Sequence, residues 1–307
     1  MKLLRGFESP SFYRGGFVSI GNFDGVHCGH QAMLTSLVRR ARENGVPAVV
    51  LTFDPHPIEV LRPDAAPPRL TTIEQRAELL QKCGVDCVII LPTTQRFLTL
   101  TADEFFHTIV RTELQARGLV EGPNFFFGKN REGSIAVLRE LCLKYQMVLD
   151  VIPPVVVDNQ LVSSSVIRTL VEAGDVKESA RLLDHRYRLS GQVVHGAERG
   201  RTLGFPTANL AEITTLIPGE GVYAAQTAID GIEYGAAVNV GPNPTFGESA
   251  KKVEVHILDF DGDLYGKSLD VDFLQKIRDV IRFTSVDGLL GQLQKDLFEI
   301  RSIVGKM

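Results

Sequence analysis

The chain has few cysteines, no long apolar run and almost no net charge, and each shortage removes a class of protein. Cys28, Cys83, Cys87 and Cys142 are scattered through the first half with no CxxC spacing. They read as reduced thiols of a cytoplasmic protein, and Cys87 and Cys142 as small core residues. The longest apolar stretches, Val85 to Leu91 and Val148 to Val157 with its two prolines, fall short of the roughly 20 residues a membrane span needs. No basic and apolar leader opens the chain, so an unexported protein without a membrane segment is expected. A formal charge of −4 gives no footprint for nucleic acid, and small molecules are the expected partners. No internal repeat or low-complexity tract appears. With 307 residues, 44% of them hydrophobic, the chain can bury two cores, and a homo-oligomer is compatible with it.

A Walker lysine is also missing, yet a phosphate site is signalled. Gly21 to His30 reads GNFDGVHCGH, after an apolar strand at Phe17 to Ile20 and before helical spacing of Met33, Leu34, Leu37, Val38 and Ala41. The glycines let backbone approach a ligand, the helix N-terminus offers N–H groups to anions, and His27 and His30 supply side-chain donors. A zinc pair assisted by Cys28 lacks the second Cys/His cluster that would complete four ligands.

From residue 15 to about 184 short apolar strands alternate with helices. Strands are expected at Phe17–Ile20, Ala48–Phe53, Val85–Leu91, Leu119–Glu121 and Met147–Ile152. Thr71 to Glu74 and Thr101 to Glu104 read as capping boxes, and Ser134 as a helix cap. Such alternation implies a parallel sheet covered on both faces, with ligands beyond the carboxyl ends of its strands. After Asp184 the period changes. Tyr187–His195, Gly221–Ile229, Ile232–Val240, Lys252–Asp259 and Lys267–Phe273 read as strands, with hairpin signals at Asp230-Gly231 and Asp261-Gly262. This implies an antiparallel barrel or sandwich, closed by an amphipathic helix from Ser285 to Ile303. Gly262 to Ser268 ends like a Walker A loop but has three residues between its glycines, and is expected to be a hairpin.

GNFDGVHCGH resembles the HxGH signature of nucleotidyltransferases, which alone also admits some aminoacyl-tRNA synthetases. Its FDG variant is similar to the bacterial bifunctional riboflavin kinase/FMN adenylyltransferases. Three further segments agree: Thr52-Phe53-Asp54-Pro55-His56-Pro57, Asn124-Phe125-Phe126-Phe127-Gly128 and Ser163-Ser164-Ser165-Val166-Ile167-Arg168. In the second half, Gly200 to Leu210, GRTLGFPTANL, resembles the PTAN segment of riboflavin kinases. The resemblance therefore implies a Rossmann-like nucleotidyltransferase domain at 1–185 and a mainly antiparallel β-barrel kinase domain with a terminal helix at 186–307. Riboflavin and ATP would give FMN in the second domain, and FMN and ATP would give FAD and pyrophosphate in the first.

The site residues follow from the same resemblance. His27 and His30 would serve adenylyl transfer, with Gly21, Phe23, Asp24, Gly25, Ser164, Ser165 and Arg168 also on ATP. His56, Asn124, Phe127 and Arg278 would meet the flavin, although one ring of Phe125 to Phe127 is expected in the core. Gly200, Arg201, Thr207 and Asn209 would hold ATP at the kinase site. Thr207 and Asn209, two apart on extended backbone, suit Mg²⁺ held jointly with phosphates. Glu254 is implied as the kinase base, and the alternation of Val253, Val255 and Ile257 turns it from the apolar face. The pattern departs from the family at Ser134, Asn243 and Val280. A flavin-binding protein without catalysis would need neither the histidines nor Glu254.

Overall fold

The computed structural model describes residues 1–196, 204–242 and 251–305. It divides into two compact units, Met1–Pro67 with Thr71–Ser163, and Pro68–Leu70 with Ser164–Met307.

The first unit is built on a six-stranded parallel sheet of β1 (Lys2–Arg5), β2 (Phe17–Ile20), β3 (Ala48–Asp54), β4 (Cys87–Pro92), β5 (Gly118–Glu121) and β6 (Val148–Val151), in the order β1-β4-β3-β2-β5-β6. Both faces are covered. Val18, Ile20, Leu51, Ile89 and Leu119 meet Phe105, Phe106, Leu138 and Cys142 on one side. Phe17, Val50, Val88 and Val120 meet Leu34, Leu37 and Leu80 on the other. Two-sided burial explains why these strands read as unbroken apolar runs. The helices are α1 (Cys28–Glu43), α2 (Pro57–Leu61), α3 (Ile73–Lys82), α4 (Gln95–Leu98), α5 (Ala102–Phe105), continued helically to Glu113, and α6 (Ile135–Lys144). A small hairpin, β7 (Val156–Val157) and β8 (Gln160–Leu161), follows.

Helix α1 starts at Cys28, ahead of the spaced apolar residues from Met33, because His27 caps it. One sequence expectation is corrected here. The capping box of α3 is Thr72 with Gln75; Thr71 is occupied in the site below. The boxes at Thr101 and Glu104, and the Ser134 cap, form as expected.

The second unit opens with α7 (Ser164–Ala173) and α8 (Val176–Leu183). A closed antiparallel barrel follows, of β9 (Tyr187–Val194), β10 (Ala208–Ala211), β11 (Gly221–Ile229), β12 (Ile232–Gly241), β13 (Lys252–Ile257) and β14 (Ser268–Arg278), in the order β10-β13-β12-β11-β14-β9. Asp230 and Gly231, at φ 51° and 82°, make the expected hairpin turn between β11 and β12. The hairpins expected at Asp261-Gly262 and across Gly262 to Ser268 do not form. Strand β13 pairs with β10 and β12, and β14 with β9 and β11, so this segment is a crossover connection. Helix α9 (Val286–Val304), capped by Ser285, packs Leu297, Ile300, Ile303 and Val304 against Ala224, Ala237, Leu274 and Ile277 on the barrel wall.

Candidate active sites

In the first unit, candidate residues gather at the carboxyl ends of β3, β2 and β5. The loop from Gly21 to His27 is held in an uncommon backbone shape: Phe23, Gly25 and Val26 have φ of 50°, 83° and 39°. A β-branched residue at positive φ is sterically costly, and such strain persists where surrounding contacts over-determine it. Asp24 supplies those contacts. It is 5% exposed and accepts the Thr71 N–H and hydroxyl, both at 3.0 Å, and the Arg76 guanidinium at 3.2 Å. Thr71 Oγ1 in turn accepts the Gly25 N–H at 3.2 Å. Asp24, expected to contact ATP, is thus committed to shaping the loop, and the Phe23 ring is core.

His27 Nδ1 accepts the His30 N–H at 3.3 Å, the N-cap bond of α1. With Nδ1 so used, a neutral His27 carries its proton on Nε2. The two imidazoles stack, with centroids 3.7 Å apart and planes 16° off parallel. Gly29 makes this stacking feasible, since a Cβ there would lie 3.1 Å from the His27 ring. His30 Nδ1 is buried with no hydrogen-bond partner. Burial, followed by His27 and then the Arg76 guanidinium, holds His30 well below the usual imidazole pKa, so it is neutral at pH 7.

The other residues expected at this site fall on separate segments. His56 caps α2 by accepting the Ile58 N–H on Nδ1, and its Nε2 lies 2.8 Å from the Asn22 side-chain amide. Asn124 is exposed at the turn after β5. Phe127, expected against the flavin, is 5% exposed and stacks on Phe125 within the core. The exposed ring is Phe126, beneath the Arg131 guanidinium at 4.5 Å. Ser164, Ser165 and Arg168 lie on α7 of the second unit, where Arg168 Nε donates to Pro68 O at 2.7 Å.

The second unit builds its site by strand register. Asn209 of β10 pairs with Glu254 of β13, which pairs on its other side with Asn239 of β12. Residues directly opposite share a face, with Cβ atoms about 5 Å apart. Val238, Val240, Val253 and Val255 fill the barrel, so the Asn209, Glu254 and Asn239 row faces outward. Thr207 precedes β10 on the same alternation. His256 Nδ1 meets Pro206 O at 2.8 Å and so ties the turn ahead of Thr207 to β13. Gly196 passes so near that a Cβ there would collide with the Asn209 amide. Gly200, Arg201 and Asn243 lie outside the described residues. Arg278, expected to meet flavin, forms an ion pair at 2.7 Å with Asp296 of α9, which is 3% exposed.

Residues 9–166 match the FAD synthetase family and residues 183–304 the riboflavin kinase family. The bifunctional riboflavin kinase/FMN adenylyltransferase of Escherichia coli K12 is 36% identical over 99% of this chain and 98% of its own length. That of Pseudomonas fluorescens is 38% identical over 99% and 98%. This chain belongs to the bifunctional riboflavin kinase/FMN adenylyltransferase family. It is a transferase with both activities: ATP-dependent conversion of riboflavin to FMN, and adenylylation of FMN to FAD. A solved structure described as a macrolide-efflux protein from Streptococcus pneumoniae shares the fold of this family member, with a TM-score of 0.86 and 32% identity over 98% of this chain and 99% of that one. Among the described residues no helix here is long and apolar enough to cross a membrane.

Sequence reading missed Asn22, Arg76, Glu121 and Asn239 in this family member. Arg76 was detectable: it shares the buried stripe of Ile73, Ala77 and Leu80 on α3. Glu121 likewise ends a strand whose other residues are all buried.

Proposed function

We propose that the two activities use separate residue sets, His27 and His30 for adenylyl transfer and Glu254 with Thr207 and Asn209 for phosphorylation, with residues 1–185 and 186–307 as the functional halves. The supporting observation is the register that sets Glu254 opposite Asn209. The acceptor in the kinase reaction is a neutral hydroxyl, so a carboxylate must take its proton as the oxygen attacks the γ-phosphorus. Glu254 fills that role beside the two oxygen donors. FMN instead brings a phosphate whose second pKa is about 6, already ionised near neutrality, so adenylyl transfer requires no base. The imidazole N–H groups then hold the triphosphate and the departing pyrophosphate. The assignments of Ser164, Ser165 and Arg168 to ATP, and of His56 and Asn124 to FMN, rest on the family resemblance.

The Thr207 hydroxyl and Asn209 amide oxygen fit Mg²⁺, a hard cation that keeps further positions for phosphate and water. Bound there, the ion would neutralise charge on the ATP phosphates. Asn209→Ala is expected to raise the Mg²⁺ concentration that half-saturates FMN formation by roughly tenfold, with FAD formation from FMN unchanged. An unchanged Mg²⁺ requirement in folded protein would contradict the assignment.

A further inference from the structure

We propose that Glu121 is a positioning residue for adenylyl transfer: its buried carboxyl takes the Ile20 N–H where β2 and β5 part, and so fixes the point from which the Gly21 to His30 loop departs. The proposal rests on His27 and His30 serving adenylyl transfer.

Pairing between β2 and β5 covers Phe17 with Gly118 and Val18 with Leu119, and then stops. Beyond that, β5 stays paired with β6 as far as Glu121 and Val151, while β2 stays paired with β3 through Ile20 and Leu51. The strand order runs outward from this junction in both directions, to β3 and β4 on one side and to β6 on the other. It is therefore the switch point where open parallel sheets bind ligands. Parting strands leave a buried backbone donor on the β5 side of β2, and such donors require an acceptor. Glu121 Oε1 accepts it at 2.8 Å, from a side chain in a residue only 1% exposed. The next residue, Gly21, bonds to Leu51 O at 3.0 Å, so two consecutive backbone N–H groups are tied to opposite sides of β2. From there six residues lead to His27.

Burial raises the Glu121 carboxyl well above its usual pKa, opposed only in part by the Ile20 N–H, so its neutral form is favoured. The groups around it do not supply a countercharge. Strand β2 has no ionisable side chain. Asp150 of β6 is paired with Arg40 at 2.6 Å. The buried ionisable group of α6 is Cys142, whose thiol is pushed to about 11 by burial and then by Glu121. A neutral acid that accepts one N–H is reproduced by glutamine and not by leucine.

The test compares Glu121→Leu and Glu121→Gln with the parent and with His30→Ala, in full-length protein. FAD formation from FMN and FMN formation from riboflavin are both measured, the second reporting on folding of the same chain. Glu121→Leu is expected to lower kcat for FAD formation between about tenfold and a hundredfold, with KM for ATP moving less than about threefold, because misplacement costs orientation more than binding. Glu121→Gln is expected to restore kcat and to gain thermal stability over the parent as pH rises from 5 to 8, since it has no proton to retain. Full kcat in Glu121→Leu, or equal damage in both variants, would overturn the proposal. If Glu121→Leu fails to fold, the Gln variant decides: retained kcat with the alkaline stability gain supports it, and loss of either overturns it. An active His30→Ala would instead overturn the reading of the histidines.

Discussion

The half that matches FAD synthetase carries its proposed histidines within ten consecutive positions, whereas the half that matches riboflavin kinase brings its proposed residues Asn209 and Glu254, with Asn239, from three strands that meet through register. The first arrangement follows from parallel strands. Each ends at the same rim, and one loop leaving β2 can carry both histidines into a helix N-terminus. The second follows from an antiparallel barrel wall, where neighbours on one face are distant in sequence. Their chemistry differs accordingly. Under the proposed assignment, a stacked imidazole pair serves a reaction that manages charge without moving a proton, and a partly exposed carboxylate serves one that must accept a proton.

The sharpest way to break this comparison is to remove one residue from each half. Glu254→Gln is expected to lower FMN formation by on the order of a hundredfold to ten-thousandfold, leaving FAD formation from FMN intact. His30→Ala should do the converse, with a loss on the order of a hundredfold or more. Steady-state assays of both reactions in each purified variant check this.

A smaller effect sharpens the contrast between structural and catalytic charge. Among the described residues, each half holds an arginine–carboxylate pair with a buried carboxylate, Arg76 with Asp24 and Arg278 with Asp296. Breaking either leaves an uncompensated buried carboxylate and is expected to cost about 3 kcal/mol. Arg76→Leu should also impair FAD formation, because Asp24 shapes the histidine loop. Arg278→Leu should loosen α9 from β14 with little change in either kcat. Thermal melts beside kinetics separate the two outcomes.

The smallest expected effect is on pH dependence. His30 is held neutral by burial, with a folded pKa below its unfolded value near 6.5. The unfolded chain then binds more protons below about pH 6.5, so stability contributed by this group is present above that pH and lost as pH falls. His30→Gln should flatten the acid limb of the first unit's melting profile, and an unchanged limb would show His30 to be uninvolved.

Much of this was legible in the sequence, for identifiable reasons. Strands β2 and β11 were placed to the residue because both are apolar runs bounded by turn residues. Strand β1 was missed: Lys2–Arg5 is a short, largely exposed edge strand with a basic residue at each end. Strand β10 was hidden by its four-residue length behind Gly204 and Pro206. The false hairpin at Asp261-Gly262 shows the limit of local turn signals, since barrel closure assigned β13 and β14 to other neighbours. Asp24 and Arg278 illustrate the same limit for charges. Motif resemblance marked them as ligand contacts, and the fold adds what the motif does not show, partners remote in sequence, Arg76 and Asp296.

The central claim, that two separable sites act in sequence through FMN, is tested most directly by mixing Glu254→Gln and His30→Ala proteins with riboflavin, ATP and Mg²⁺. Glu254→Gln alone should form FMN only at its residual rate, and His30→Ala alone should accumulate FMN with little FAD. The mixture should form FAD, as FMN made by one protein is adenylylated by the other. No FAD from the mixture of folded proteins, or loss of both reactions in either variant, would contradict the account.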